Sequence, residues 1–273
     1  MSDSFVDRLR HVQQTKASAL CVGLDPDPQR LPAVLREGHS LHEAVLQFCR
    51  TIVDATAPYA CAFKPNAAFF EALGPVGVRI LHEVVRHVPN DCLVIADAKR
   101  GDIGNSARFY AQSLFDVLGA DACTVAPYMG HDAVTPFLEH EGTAAFVLAR
   151  TSNAGAADVQ EACTCHGAPV YMHVAEKVAA WSAEARGTGG LVVGATAPSA
   201  LTELRRTCPA LPFLIPGVGA QGGSPAAVMD AAATPEGLVL VNSSRSILFA
   251  SDDSDYATAA ADAARDLRDR LRG

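Results

Sequence analysis

Eight short apolar runs, each followed by a stretch whose apolar residues recur at helical spacing, constrain the fold of this chain more than any other feature. The runs are Ala19 to Leu24, Ala60 to Lys64, Cys92 to Asp97, Ala122 to Val125, Ala144 to Ala149, Gly190 to Val193, Phe213 to Ile215 and Gly237 to Val241. The helical patterns are Leu41 to Ala57, Val76 to Val88, Ser106 to Leu118, Asp132 to Glu139, Val170 to Ala185, Pro198 to Arg206, Ser224 to Ala233 and Tyr256 to Leu271. Continuous apolar runs of this length suit strands buried on both faces, and parallel strands need helical crossovers between them. Eight such units predict an α/β fold, a (β/α)8 TIM barrel, whose typical size of about 250 residues suits a chain of 273. Asp3 to Lys16 adds an N-terminal helix, and residues 1–273 read as a single barrel domain. Residues 26–40 and 153–168 are long for βα connections and are expected to be excursions at the top face. A doubly wound sheet is the architectural alternative, but no Gly-x-Gly-x-x-Gly follows an early strand.

In such a barrel the residues at the C-terminal ends of the strands converge on one cavity. Asp97-Ala98-Lys99-Arg100-Gly101-Asp102-Ile103 puts two acids and an ammonium at the exit of the third strand. Side chains alternate with period two along a strand, so Asp97 and Lys99 are expected on one side and in contact. Gly101 lets the chain turn, and Asp102 falls in the loop before the helix opened by Gly104-Asn105-Ser106. An isolated Asp-x-Lys is usually a surface ion pair of little consequence. Here Asp25 ends the first strand and Lys64 the second, so a polar ring forms at equivalent positions.

The last strands supply an anion site. Pro216-Gly217-Val218-Gly219-Ala220-Gln221-Gly222-Gly223 follows the seventh, and its glycines allow backbone amides to approach a ligand closely. Asn242-Ser243-Ser244-Arg245-Ser246 follows the eighth, with Ser244 and the fork of Arg245 suited to phosphate. The loops after strands seven and eight are the usual phosphate site of this architecture.

Composition limits the partners. A formal net charge of −8 argues against nucleic acid. No apolar stretch approaches the roughly 20 residues that span a bilayer, and Met1 to Ser4 carry no basic region leading into an apolar one. No membrane partner and a cytoplasmic location are therefore expected. Of eight cysteines, Cys21, Cys61, Cys92 and Cys123 lie in or beside apolar runs, where a reduced thiol is a small hydrophobe. Cys163-Thr164-Cys165-His166 lacks a second matching pair and reads as loop, so no metal is expected.

The motifs Leu24-Asp25, Phe63-Lys64-Pro65-Asn66, the run from Asp97 to Ile103, Thr151-Ser152, the segment Pro216 to Gly223, and Arg245-Ser246 together resemble the orotidine 5′-phosphate decarboxylase family over nearly the whole chain. The resemblance implies decarboxylation of orotidine 5′-monophosphate (OMP) to UMP without a cofactor. It implies that Lys99 donates the proton to C6, that Asp97 faces the departing carboxylate, and that Lys64 and Asp25 hold the ribose end and the charge network. Ser152 and Gln221 would contact the pyrimidine, with Gln221 bridging toward the phosphate held by Arg245. Pro216, Gly222 and Ser244 would complete the binding set. A homodimer is implied, in which Asp102 and Ile103 enter the partner's site. The hydroxyl residue that the family carries shortly after the Asp-Ile step is Ser106 here. Related sugar-phosphate barrels share Asp-x-Lys-x-x-Asp but use Mg²⁺, and Gln221 within its glycine-rich segment favours the nucleotide. A silent barrel that binds UMP-like ligands is a further alternative, opposed by the intact Asp97, Lys99 and Asp102.

Overall fold

A computed structural model describes residues 4–165, 167–218, 223–235 and 238–272. Its strands are β1 (Leu20–Leu24), β2 (Ala62–Pro65), β3 (Leu93–Arg100), β4 (Ala122–Val125), β5 (Ala144–Arg150), β6 (Thr188–Val193), β7 (Phe213–Pro216) and β8 (Val239–Ser243). All pair in parallel in sequence order, and β8 closes on β1 through Leu20 opposite Val241, so the sheet is a closed barrel. The helices that alternate with them are α1 (Phe5–Lys16), α2 (Leu41–Thr56), α3 (Gly74–His87), α4 (Gly104–Gln112), α5 (His131–Leu138), α6 (Val170–Glu184), α7 (Pro198–Thr207), α8 (Pro225–Ala232) and α9 (Tyr256–Arg272). The predicted TIM barrel with its extra helix is thus the observed fold.

Two apolar layers hold it. Outward residues such as Val22, Phe63, Val94, Val147 and Phe213 pack under the helices, while Cys21, Leu93, Ile95, Phe146, Leu214 and Leu240 fill the barrel. The lower mouth is plugged by α1, whose Phe5, Leu9 and Val12 join the inner layer. Phe5 meets Phe146 edge-on at 5.9 Å between ring centroids. Arg8 pins the plug by pairing with Asp121 at 2.5 Å and donating to the Gly142 carbonyl at 2.7 Å.

Along the inner face the strands change character toward their C-terminal ends. The inner column runs from Ile95 to Asp97 on β3, from Ala122 to Thr124 on β4 and from Leu240 to Asn242 on β8, while Lys64 lies two residues beyond Ala62 on β2. Period-two alternation therefore stacks a polar layer directly on an apolar floor. Six cysteines, Cys49 and Cys208 among them, are buried free thiols in this packing; Cys163 and Cys165 are exposed. Burial pushes the Cys21 thiol, below the site, up to about 12, so it remains protonated.

The elements differ from the sequence expectation mainly at their ends. β3 runs on to Arg100 and β8 to Ser243, so Lys99 and Asn242 belong to strands. The two excursions hold short helical turns at Pro28–Arg30, Ala33–Arg36 and Ala154–Asp158.

Candidate active site

A bulge in β3 builds the centre of the site. Ala96 pairs with Cys123 and Arg100 with Val125, so Asp97, Ala98 and Lys99 stand opposite the single Thr124. Lys99 takes φ of +45°, a left-handed conformation that costs a non-glycine residue free energy. Asp97 and Lys99 do touch, at 2.7 Å between Oδ1 and Nζ, but through this bulge and not through regular strand alternation. Thr124 pins the bulge from across the ladder. Its Oγ1 accepts the Lys99 backbone N–H at 3.0 Å and donates to Oδ1 of Asp97 at 2.9 Å.

Lys64, at the end of β2, donates to the other oxygen of the same carboxylate, with Nζ 2.5 Å from Oδ2. Lys64 and Asp97 are buried, whereas the Lys99 side chain is half exposed and reaches into the open end of the barrel. Burial alone would raise the pKa of Asp97, but the ammoniums of Lys64 and Lys99 outweigh it and hold the carboxyl well below the usual range. Burial likewise opposes the charge of Lys64, and Asp97 and Asp25 overcome it, lifting its pKa above the ordinary lysine value. The result is a fixed chain of alternating charges, ammonium, carboxylate, ammonium.

Asp25 follows β1, and its Oδ1 is buried without a hydrogen-bond partner among the described residues. It lines a cavity of about 180 Å³ with Lys64, Asp97, Pro216, Ser244 and Arg245. Arg245 is exposed at the first position of a short helix, Arg245–Leu248. Ser244 reaches this wall because Gly23 has no side chain: a Cβ there would lie 1.9 Å from Oγ of Ser244. Asn242 and Thr124 are site residues that the sequence reading did not single out. Their signal was inward register on β8 and β4, a polar residue two positions beyond an apolar inner one.

Ser152 follows β5 and is half-buried, clear of the cavity around Lys64. Asp102, Ile103 and Ser106 do not line that cavity either. Asp102 makes no ion pair with Lys99 within the chain, and its Oδ1 accepts the Ile103 N–H at 2.8 Å. Ile103 is 55% exposed, and Ser106 is exposed in the first turn of α4. Gln221 and Gly222 lie outside the described residues. Among the described residues no group of three or more His, Cys, Asp or Glu side chains is placed to hold a metal ion.

Comparison with known proteins decides the family. A sequence profile of the orotidine 5′-phosphate decarboxylase / HUMPS family matches residues 18–260. The chain belongs to this family. Its decarboxylase relatives align from end to end. Orotidine 5′-phosphate decarboxylase of Roseiflexus castenholzii is 47% identical over 270 residues, covering 98% of this chain and 97% of the relative. That of Bordetella petrii is 47% identical over 274 residues, covering 99% of each. Among solved structures, OMP decarboxylase of Leishmania donovani superposes with a TM-score of 0.82 at 39% identity, over 97% of this chain and 99% of the other.

Proposed function

We propose that this protein decarboxylates OMP to UMP and CO2, the closing step of UMP synthesis, without a metal or organic cofactor. The observation that carries the reading is the Lys64–Asp97–Lys99 charge chain, buried at Lys64 and Asp97 and half exposed at Lys99, in a chain 47% identical along almost its whole length to orotidine 5′-phosphate decarboxylases.

Loss of CO2 breaks the C6–carboxylate bond and leaves its electron pair in an sp² orbital that cannot delocalise into the ring. Stabilisation has to be electrostatic, from charges already fixed in position. The Lys99 ammonium beside C6 opposes the developing negative charge, then transfers its proton to C6 and is recharged from solvent. Asp97 faces the departing carboxylate and, with Lys64, holds Lys99 in place. Enzymes lower barriers by about 8 to 23 kcal/mol, and one ammonium does not supply the upper part of that range. The remainder comes from remote binding: Asp25 and Lys64 at the ribose, Ser152 and Gln221 at the pyrimidine, and Pro216, Gly222, Ser244 and Arg245 around the phosphate. Asp25 supports this by its buried Oδ1, which has no partner among the described residues and is an acceptor that a ribose hydroxyl would satisfy.

The site is completed across a homodimer, with Asp102 and Ile103 of one protomer entering the site of the other and Ser106 beside them. Large apolar side chains after β3 and β4, namely Ile103, Phe109, Tyr128 and Met129, are exposed in the single chain and suit such a contact. Residues 1–273 are taken as one decarboxylase domain of a cytoplasmic enzyme. Among the described residues no helix is long and apolar enough to cross a membrane.

The test is loss of OMP absorbance with purified protein after thorough chelation. Undiminished turnover is expected. Activity abolished by chelation and restored by Mg²⁺ would transfer the protein to the sugar-phosphate side of its family.

A further inference from the structure

The excursion after β5 folds back onto the strand end it leaves. Its turn Ala154–Asp158 is followed, after Val159, by Gln160 and Glu161, and these two neighbours grip the end of β5. Oε1 of Gln160 accepts the Thr151 backbone N–H at 2.7 Å, and its Nε2 donates to Thr151 Oγ1 at 2.8 Å. Glu161 pairs with Arg150, whose guanidinium also donates to the Thr151 carbonyl. The excursion is itself anchored. Gln160 N–H donates to the Ala156 carbonyl at 2.8 Å, and the Gln160 carbonyl accepts from Tyr171 at the start of α6 at 3.0 Å.

On the other side, Ser152 is pressed against the tip of β6. A Cβ on Gly194 would lie 2.9 Å from the nitrogen and Cβ of Ser152, so only glycine admits this approach. Gly194 N–H donates to the Arg150 carbonyl at 2.7 Å, and the next residue, Ala195, donates to the Pro216 carbonyl at 2.9 Å. A continuous line of contacts thus runs from the excursion through Thr151–Ser152 to the base of the glycine-rich loop.

We infer that residues 153–161 are a brace for base recognition and that Gln160 is the positioning residue that fixes the Thr151–Ser152 peptide against Gly194. This rests on the proposed contact between Ser152 and the pyrimidine. A primary amide fits the task because it accepts from a backbone N–H and donates to the hydroxyl of the same residue, which constrains position and rotation together. Gln160 touches no reacting atom, and its effect is on where the base sits.

The experiment separates the base from the phosphate. Turnover of OMP by the wild-type protein is measured first, and failure there would count against the proposed activity, not against the brace. Gln160→Leu keeps the volume and loses both bonds. Its Kd for UMP should rise about tenfold, and kcat/KM for OMP should fall by a similar factor. Inhibition by ribose 5-phosphate, which lacks the base, should stay within about twofold of wild type on the same reasoning. Gln160→Glu, which still accepts from the Thr151 N–H, should lose less, and it carries the same test if the leucine variant does not fold. Unchanged UMP affinity, or equal weakening of UMP and ribose 5-phosphate, would overturn the inference.

Discussion

Lys64 holds Oδ2 of Asp97 at 2.5 Å inside the barrel, and both side chains are nearly inaccessible to solvent. A buried pair of this kind costs desolvation to assemble, but breaking it from one side leaves a charge stranded.

Lys64→Met should therefore destabilise the protein by about 3 kcal/mol at neutral pH, the lower end for such changes because Lys99 and Thr124 still hold the carboxylate. The sign of the pH dependence follows from the two shifts. The Asp97 pKa is lowered in the folded state, so its contribution is present above the unfolded value of about 3.9 and is lost as pH falls toward the folded value. The Lys64 pKa is raised, so its contribution is full below about 10.4 and is lost as pH rises through the folded value. Urea denaturation of both proteins at pH 7 and pH 3 should show the gap narrowing in acid. A gap independent of pH would mean that the mutation acts through packing alone.

Lys99→Ala removes the proposed proton donor and the charge opposing the carbanion. Single-turnover rates should drop by at least about 10⁴-fold while UMP still binds. Because Lys99 has φ of +45°, Lys99→Gly should be more stable than Lys99→Ala by about 1 kcal/mol. Near-normal turnover in either variant would remove Lys99 from the chemistry.

Thr124→Val keeps the shape of the side chain and removes both bonds that pin the bulge. We expect kcat to fall about tenfold with UMP affinity unchanged, and Thr124→Ser to restore most of the rate. A loss of UMP binding equal to the loss of kcat would assign Thr124 to general stability.

Arg245→Ala should reduce kcat/KM for OMP by roughly 10- to 100-fold, the range for losing charge-assisted hydrogen bonds. Orotidine, which lacks the phosphate, should be converted at an unchanged rate. Equal losses for both substrates would contradict a phosphate role.

The barrel was legible because eight apolar runs set a period that neighbouring contacts do not override, and Asp25, Lys64, Asp97 and Arg245 follow once strand ends are known. The contact of Asp97 with Lys99 was expected for an incomplete reason. Alternation brings residues two apart to one face, but the bulge opposite Thr124 depends on pairing between β3 and β4, which no local pattern encodes. The roles of Thr124 and Gln160 were hidden for the same cause. Each acts through a hydrogen bond to a residue distant in the chain or across a loop, and a lone Thr or Gln carries no periodic signal. Nothing in the sequence distinguishes Gly23 within β1 or Gly194 just after β6 until Ser244 and Ser152 are seen filling the space beside them.

Asp102 provides the sharpest test of assembly. It follows the bulge, accepts its neighbour's N–H and, among the described residues, makes no ion pair with Lys99 of its own chain. If it serves the partner's site, each site takes Lys99 from one protomer and Asp102 from the other. A Lys99→Ala homodimer and an Asp102→Ala homodimer should both be nearly inactive. In a mixed dimer one site collects both mutations and the other is wild type, so up to half the normal activity should return on mixing and subunit exchange. Verified mixed dimers that recover nothing, alongside wild-type protein that survives the same treatment, would confine Asp102 to its own chain.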